Sequence, residues 1–550
     1  SSSPVTHSTF APRAFRSNQA TVSEALVLVT FLVAVVVLAV AAKRLRVPYP
    51  IAFVIGGIVL GFARHLPRPH PAPDLILLLV VPPLLYSAAW QTDWVEFKRN
   101  ARPIALHAIG LVIVTMAAVA AVVHYSVPAF TWPLAFTLGA IVSPPDAVAA
   151  EAIFERIAVP RRIAAVVSGE CLVNDATAIV LYRFALAAAI TGAFSLVQAG
   201  VAFIVVAVGG ILVGIVAAFV LEGTLRFWAR RGYGDSMIAS VVFLLAPFAA
   251  YLPAEELHVS GVLAAVSAGL LLSRRSTGFI DSETRVLGSS VWRLLTFVLN
   301  AFAFLLIGIE LPVIVETLVP HVRDYVLYGL LVSATVIAVR FAWVFVATYL
   351  PRLVRRLFGA RVPFPPWQEV TVASWAGMRG IISLAIALAL PYTLGDQPFP
   401  QRSVTIFLTF CVIFVTLMLQ GLTLRPLIEL LGVTETSRSR QRETRLRIRA
   451  LEAGMARLQE GETRRRTPLE RDMAGRILEE YQQRIDVLRG KAEKDEAVEA
   501  TESRLDRALQ NEALTAERRA ITAMRSAGEI PDDIYHSIEY DLDLATLRLS

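Results

Sequence analysis

Long apolar segments dominate this chain and limit what it can fold into. A helix that crosses a bilayer needs about 20 mostly apolar residues, and about thirteen stretches approach or exceed that length. Only 18% of the residues are charged, whereas soluble domains are about 25% charged. We therefore predict an all-α polytopic membrane protein. The candidate spans lie near residues 22–42, 49–64, 74–90, 103–125, 133–153, 162–190, 196–221, 236–253, 258–273, 287–311, 325–350, 368–391 and 403–431.

The loops between these spans are alternately rich and poor in Arg and Lys. Basic loops stay on the cytoplasmic side of a membrane. With about thirteen spans, the alternation predicts a multi-pass protein of the plasma (inner) membrane with its N-terminus outside and its C-terminus in the cytoplasm. The basic loops contain Lys43, Arg44, Arg46, Lys98, Arg99, Arg102, Arg156, Arg161, Arg162, Arg226, Arg230, Arg231, Arg274, Arg275, Arg285, Arg352, Arg355, Arg356 and Arg361.

Composition divides the chain into three parts. Residues 1–21 contain few apolar side chains and are predicted to form a disordered N-terminal tail, and residues 22–433 contain the spans. Residues 434–550 are rich in Arg and Glu, with Leu and Ile at helical spacing, which predicts a helical cytoplasmic domain. Two interpretations of that domain stay open: a solvated helical tail, or a dimerising or regulatory domain.

One polar motif lies inside the span 162–190, where Glu170, Asn174 and Asp175 interrupt an apolar run. A charge at the bilayer centre costs at least ~2.5–3.5 kcal/mol, so such residues are functional candidates. Spacings of i, i+4 place Glu170 above Asn174, and Cys171 above Asp175, on one side of a helix. This side can offer oxygen atoms to a cation or hold a proton on a buried acid.

A second motif, Ser143-Pro144-Pro145-Asp146, lies inside the span 133–153. Two adjacent prolines break a helix because they lack amide donors and clash with the preceding turn. Broken helices at membrane depth are tolerated where they are buried in protein or line a cavity. We predict that Asp146 faces such a cavity.

A third motif, Gly377-Met378-Arg379-Gly380, lies inside the span 368–391. Glycines weaken the helix there and permit close backbone approach. The buried arginine requires an acidic partner, and we predict that Arg379 pairs with Glu170, which leaves Asp146 and Asp175 as the titratable pair. Other polar residues within the spans can be explained by hydrogen bonds between helices and need not belong to the site. They are Arg183, Arg293, Arg340, Asn300 and Gln420.

The two broken spans are the fifth and the twelfth in the predicted order. This separation is typical of two inverted six-helix repeats, in which the broken helices cross at the binding site.

These motifs together resemble those of the cation:proton antiporter-1 family, the sodium/proton exchangers. The matching segments are SPPDAVAA, GECLVNDATAIVLYRFA, the run Phe304–Gly308, GMRGIISLAIALALP and LQGLTLRP. They follow the family's order over most of residues 22–432, and the tail is similar to that of bacterial members with a long cytoplasmic domain.

The resemblance implies roles for the polar residues. Asp175 would bind a proton and Na⁺ alternately, and Asp146 would be the second acid and Na⁺ ligand. Asn174 marks the electroneutral branch of the family. Glu170, Asn174 and Arg379 would stabilise the site, and the protein would work as a homodimer with a dimer domain and a moving core domain.

Two positions depart from the family pattern. Pro145 stands where Thr is common, and Cys171 stands where Ser is common. The resemblance places both in the ion-binding set, but neither side chain offers the hydroxyl oxygen that a hard alkali cation prefers. Water or backbone carbonyl groups would supply the missing oxygen ligands.

The sequence therefore predicts an electroneutral Na⁺/H⁺ antiporter that works by alternating access and contributes to pH homeostasis. It would be no enzyme, would need no cofactor beyond the transported ions, and would bind no nucleic acid. Alternatives are a K⁺/H⁺ or organic-anion/proton antiporter on the same scaffold, a passive channel, and an intramembrane aspartyl protease with Asp146 and Asp175 as its dyad.

Overall fold

The chain divides into two compact units, Ser1–Thr434 and Glu435–Ser550. The structure is a computed structural model, and it describes residues 13–45, 47–62, 73–128, 130–154, 157, 159–192, 196–276, 280, 282–319, 321–359, 362–394, 397–433, 437–460, 468–493, 496–526 and 532–549.

The first unit is built from helices, and each predicted span coincides with one helix or with consecutive helical pieces. The all-α membrane fold is thus confirmed. In chain order the elements are α1 (Arg13–Leu45), α2 (Tyr49–Phe62), α3 (Pro73–Gln91), α4 (Trp94–Arg99), α5 (Ala101–Ala105), a π-helix (Leu106–Leu111), α6 (Val112–Ser126), α7 (Trp132–Val142), α8 (Ala147–Phe154), α9 (Arg161–Thr191), α10 (Leu196–Arg230), α11 (Ser236–Glu256), α12 (Gly261–Arg275), α13 (Ser282–Leu318), α14 (Val322–Leu357), α15 (Trp367–Trp375), α16 (Ile381–Leu388), β1 (Thr393–Leu394), β2 (Gln397–Pro398) and α17 (Arg402–Leu431).

Seven helical segments in the described part of the chain are each long and apolar enough to cross a bilayer. They are Ala101–Ser126, Arg161–Thr191, Gly200–Arg230, Ser236–Glu256, Glu283–Leu318, Val322–Leu357 and Arg402–Leu431. Shorter apolar helices accompany them at Tyr49–Phe62, Leu78–Gln91 and Trp132–Val142.

Some features lie outside the predicted pattern. Helix α1 begins at Arg13, before the predicted span start at residue 22, and residues 1–12 of the predicted tail lie outside the described residues. The short helix α4 is capped by the carboxylate of Asp93, which accepts hydrogen bonds from the backbone N–H groups of Val95 and Glu96. Strands β1 and β2 pair antiparallel, with Thr393 opposite Pro398.

The two predicted breaks are present, and each follows from local sequence. Helix α7 ends at Val142 because Pro144 and Pro145 cannot donate the amide bonds that would continue it. Helix α15 ends at Trp375, and the chain stays non-helical until α16 begins at Ile381. The fifth and twelfth predicted spans are therefore both pairs of half-length helices.

Helix α9 packs against pieces of both broken helices, α7 and α8 of the first and α15 of the second. Most of its residues between Gly169 and Val180 are buried. At a separate contact, Gly57 of α2 and Gly308 of α13 allow the two backbones to touch, since a Cβ at Gly308 would strike the carbonyl of Val54.

The described residues of the second unit form four helices, α18 (Ser437–Glu460), α19 (Pro468–Glu493), α20 (Glu496–Ser526) and α21 (Asp532–Leu549). Helix α18 packs on α19, and α20 packs on α21 around Ile521, Tyr535 and Leu542. Surface ion pairs accompany this packing, such as Arg518 to Asp543 at 2.6 Å. All the described residues of this unit are helical.

Candidate functional site

The two helix breaks lie against each other and are joined by their main chains. The backbone N–H of Asp146 donates a hydrogen bond of 2.7 Å to the carbonyl oxygen of Met378. This bond satisfies polar backbone groups that the broken helices leave free, which is required at membrane depth. The predicted crossing of the broken helices is thus present.

The carboxylate of Asp146 lies at the N-terminus of α16. Its Oδ2 atom accepts a hydrogen bond of 3.4 Å from the backbone N–H of Ile381. The N-terminal end of a helix carries partial positive charge, which favours an anion. Gly380 makes this approach possible, because a Cβ at that position would overlap the Asp146 side chain.

Whereas Asp146 lies at a helix N-terminus, the guanidinium of Arg379 lies at a helix C-terminus, that of α7. Its Nε donates to the carbonyl oxygen of Val142 at 2.8 Å, and its Nη1 donates to the carbonyl oxygen of Gly377 at 2.9 Å. Its backbone N–H donates to Thr416 Oγ1 at 3.0 Å. A cation favours the partial negative charge at a helix C-terminus. Asp146 and Arg379 therefore each compensate the dipole of a half-helix from the opposite break.

The predicted ion pair between Arg379 and Glu170 is wrong. Glu170 pairs instead with Arg340 of α14, with 2.5 Å between Arg340 Nη1 and Glu170 Oε1 and 3.3 Å between Arg340 Nη2 and Glu170 Oε2. Arg340 also donates to the carbonyl oxygens of Ala373 and Ser374, both at 3.1 Å. Arg379 makes no ion pair with Glu170 among the described residues. Two of its guanidinium nitrogens bind backbone carbonyl groups, and Nη2 has no hydrogen-bond partner there.

Gly377 explains how a buried arginine fits beside the second break. A Cβ at that position would overlap the Arg340 side chain. The guanidinium therefore passes where a side chain would otherwise lie, and it links α9, α14 and α15 through one residue. Arg340 and Glu170 are 1% and 2% exposed, so the pair is shielded from solvent.

A cavity of about 60 Å³ lies beside the crossing and brings together four predicted site residues: Asp146, Asp175, Cys171 and Pro145. A water molecule needs about 10–15 Å³ of such space, so the cavity can hold a small cation together with a few water molecules. Asp175 is only 5% exposed, and within the described residues its carboxylate has no hydrogen-bond or ion-pair partner.

Asn174 and Glu170 are placed differently from these four residues. Neither is part of the cavity wall in the described part of the chain. Asn174 is fully buried, and its Oδ1 and Nδ2 atoms have no hydrogen-bond partner among the described residues. Glu170 is occupied by Arg340. Asp175 therefore lines the cavity, whereas Glu170 lies outside the cavity wall in a buried ion pair.

Sequence reasoning missed three contributors to the site. Arg340 was one of several arginines within spans, and nothing in its spacing distinguished it from Arg379 as the partner of Glu170. Thr416 lies in an apolar run where a lone hydroxyl is unremarkable. Glu151, which follows the first break and lines the cavity, was detectable as a further acid within the span 133–153.

Similarity to known proteins covers most of the chain. Residues 29–430 match the family model described as "Sodium/hydrogen exchanger, transmembrane". The uncharacterized Na(+)/H(+) exchanger YjcE of Escherichia coli (strain K12) is 33% identical over 515 residues, which are 91% of this chain and 93% of that protein. The sodium, potassium, lithium and rubidium/H(+) antiporter of Bacillus subtilis (strain 168) is 33% identical over 364 residues, which are 65% of this chain and 54% of that protein.

The fold also resembles a solved structure. The sodium proton antiporter MjNhaP1 from Methanocaldococcus jannaschii at pH 8 gives a TM-score of 0.56 at 19% identity, and the match covers 74% of this chain and 100% of that one. The helical architecture agrees with this likeness. With the family model matching residues 29–430, the chain belongs to the sodium/hydrogen exchanger family, whose members are multi-pass membrane transporters and not enzymes.

Proposed function

We propose that this protein exchanges Na⁺ for H⁺ across the membrane and that both ions compete for Asp175. The observation that carries the proposal is a buried carboxylate, free of ion pairs among the described residues, in a small cavity that it shares with Asp146. A buried charge without a partner is unfavourable. Either a proton or a cation removes that penalty, so the two ions substitute for each other.

Competition for one carboxylate couples the two fluxes. The protonated site and the Na⁺-loaded site carry less charge than the empty site, so both cross a low-dielectric barrier more readily. Asp146 would stabilise the cation from another part of the cavity wall. Pro145 and Cys171 would complete the wall through their backbone atoms and side-chain packing. Asn174 supports an electroneutral stoichiometry, and no resident cofactor is needed.

The motion would be alternating access, in which one helix bundle moves against another around the crossed breaks. The ion pair of Arg340 and Glu170 would keep α9, α14 and α15 together as part of the moving core domain. The basic loops support a cytoplasmic location for the C-terminal unit and an outside location for the N-terminus. We propose a homodimer in the plasma membrane that serves pH homeostasis.

Sodium-driven proton movement in proteoliposomes tests the proposal. We expect the wild-type chain to move protons against their gradient when Na⁺ is supplied, and Asp175→Asn to abolish this movement. Asp235→Asn provides a matched control, because Asp235 caps α11 away from the cavity. Near-normal exchange by Asp175→Asn would refute the assignment, and downhill flux without coupling would indicate a channel.

A broader cation range is the second candidate. It is favoured by the Bacillus subtilis relative, whose name includes potassium, lithium and rubidium, and by the absence of hydroxyl groups at Pro145 and Cys171. The same vesicles, supplied in turn with Na⁺, Li⁺ and K⁺, separate the candidates. Exchange with K⁺ at the Na⁺ rate would favour the broader range.

A further inference from the structure

Glu151 lies where two cavities meet. The inner cavity is the one that contains Asp146 and Asp175. The outer cavity, of about 500 Å³, is lined in part by Asp93, Glu96 and Arg161. Ala88, Glu151 and Ser168 line both cavities. These three residues therefore form the neck between the inner and the outer cavity, and Glu151 is the charged one among them.

The two polar residues of the neck are joined by a direct contact between two helices. Glu151 lies on α8, one half of the first broken helix, and Ser168 lies on α9, two residues before Glu170. The hydroxyl group of Ser168 donates a hydrogen bond to Glu151 Oε1. This bond fixes the carboxylate at the neck, where Glu151 is half-buried.

The outer cavity opens beside two of the basic loops that the charge pattern places in the cytoplasm. A cation that enters from that side meets Asp93 and Glu96 first, then Glu151, and then Asp146 and Asp175. Within the described residues the outer cavity is lined by three carboxylates and one arginine, and a cleft with such an excess of negative charge concentrates cations. Of the carboxylates in the outer cavity, Glu151 is the one that also lines the inner cavity.

We propose that Glu151 is a positioning residue for the cation, which it draws from the outer cavity into the inner cavity, where Asp175 lies. This inference rests on the proposed function and extends it to the entry route. Glu151 would not be the site of proton and cation competition. Its loss should therefore weaken loading of the cation from one face of the membrane and leave the exchange step itself in place.

The test measures Na⁺-dependent proton movement in everted vesicles, whose cytoplasmic face is exposed, and in right-side-out vesicles. In everted vesicles we expect Glu151→Gln to raise the apparent KM for Na⁺ by about tenfold, equivalent to ~1.4 kcal/mol, with a near-normal maximal rate. Glu151→Asp, which keeps the charge, should recover most of the affinity. In right-side-out vesicles the KM should stay unchanged.

Glu96→Gln is the matched control, because Glu96 lines only the outer cavity. We expect it to change the KM by less than about twofold, since solvent screens charges in a wide vestibule. An equal effect of Glu96→Gln, or an unchanged KM in Glu151→Gln, would overturn the inference. So would a lower maximal rate at unchanged KM. Failure of the wild-type chain to exchange Na⁺ for H⁺ would instead reject the proposed function.

Discussion

Arg340 of α14 binds Glu170 of α9 through both carboxylate oxygens, at 2.5 and 3.3 Å, while its other donors bind the carbonyl oxygens of Ala373 and Ser374. Removing one partner of such a pair leaves a buried charge uncompensated, which typically costs ~3–5 kcal/mol. We expect Arg340→Ala to lower the thermal stability of the solubilised protein strongly, and fluorescence-detected gel filtration after heating measures this.

Arg183→Ala is the control for that experiment. Arg183 pairs with Glu255 at 2.9 Å, but its side chain is 47% exposed, and exposed pairs contribute ~0–1 kcal/mol. The combined change of Arg340→Met and Glu170→Leu should be more stable than Arg340→Ala alone, because it leaves no unpaired charge. Equal stability of the Arg340→Ala and Arg183→Ala variants would contradict this account of the ion pair.

Proton and cation competition at Asp175 predicts how the transport rate depends on pH. As the pH falls, protons occupy the carboxylate more often, so more Na⁺ is needed to displace them. The apparent KM for Na⁺ should therefore rise with acidification, by at most about tenfold per pH unit for one competing proton. The maximal rate at saturating Na⁺ should change much less. A KM that does not vary with pH would show that the two ions bind different groups.

The close approach of Asp146 to Gly380 predicts a strong effect of one methyl group. In Gly380→Ala the new Cβ would overlap the Asp146 carboxylate, so the two breaks would have to separate and exchange should be largely lost. Gly288→Ala is the matched control, since a Cβ there meets no atom within 4 Å and Ala favours a helix by up to ~1 kcal/mol. Normal exchange by Gly380→Ala would show that Asp146 and Gly380 lie far enough apart for a methyl group to fit between them.

Cys171 offers a test of ion selectivity. It lines the cavity, and its sulfur is a poor ligand for a hard alkali cation. We expect Cys171→Ser to lower the apparent KM for Na⁺ and to raise the ratio of Na⁺ to K⁺ exchange, by less than the ~tenfold that corresponds to 1.4 kcal/mol. Cys411→Ser is the control, because Cys411 packs against Gly329 away from the cavity. Equal changes in both variants would show that the side chain at position 171 does not reach the cation.

The sequence was sufficient for the spans, for the two breaks and for Asp146 and Asp175, since each depends on local composition or on adjacent residues such as Pro144 and Pro145. It was insufficient for the partner of Glu170. Two buried arginines, Arg340 and Arg379, are chemically equivalent candidates, and only the packing of α14 against α15 distinguishes them. The same applies to Ser168 and Glu151, whose contact joins separate helices.

The bond between the Asp146 amide and the Met378 carbonyl has a consequence for mutagenesis. Both atoms belong to the peptide backbone, so exchanging either side chain for alanine leaves the bond in place. An alanine scan therefore cannot measure this bond, because Asp146→Ala removes the carboxylate and leaves the amide donor in place. Replacing the amide at position 146 by an ester, through semisynthesis or nonsense suppression with an α-hydroxy acid, removes the donor and exposes the true contribution.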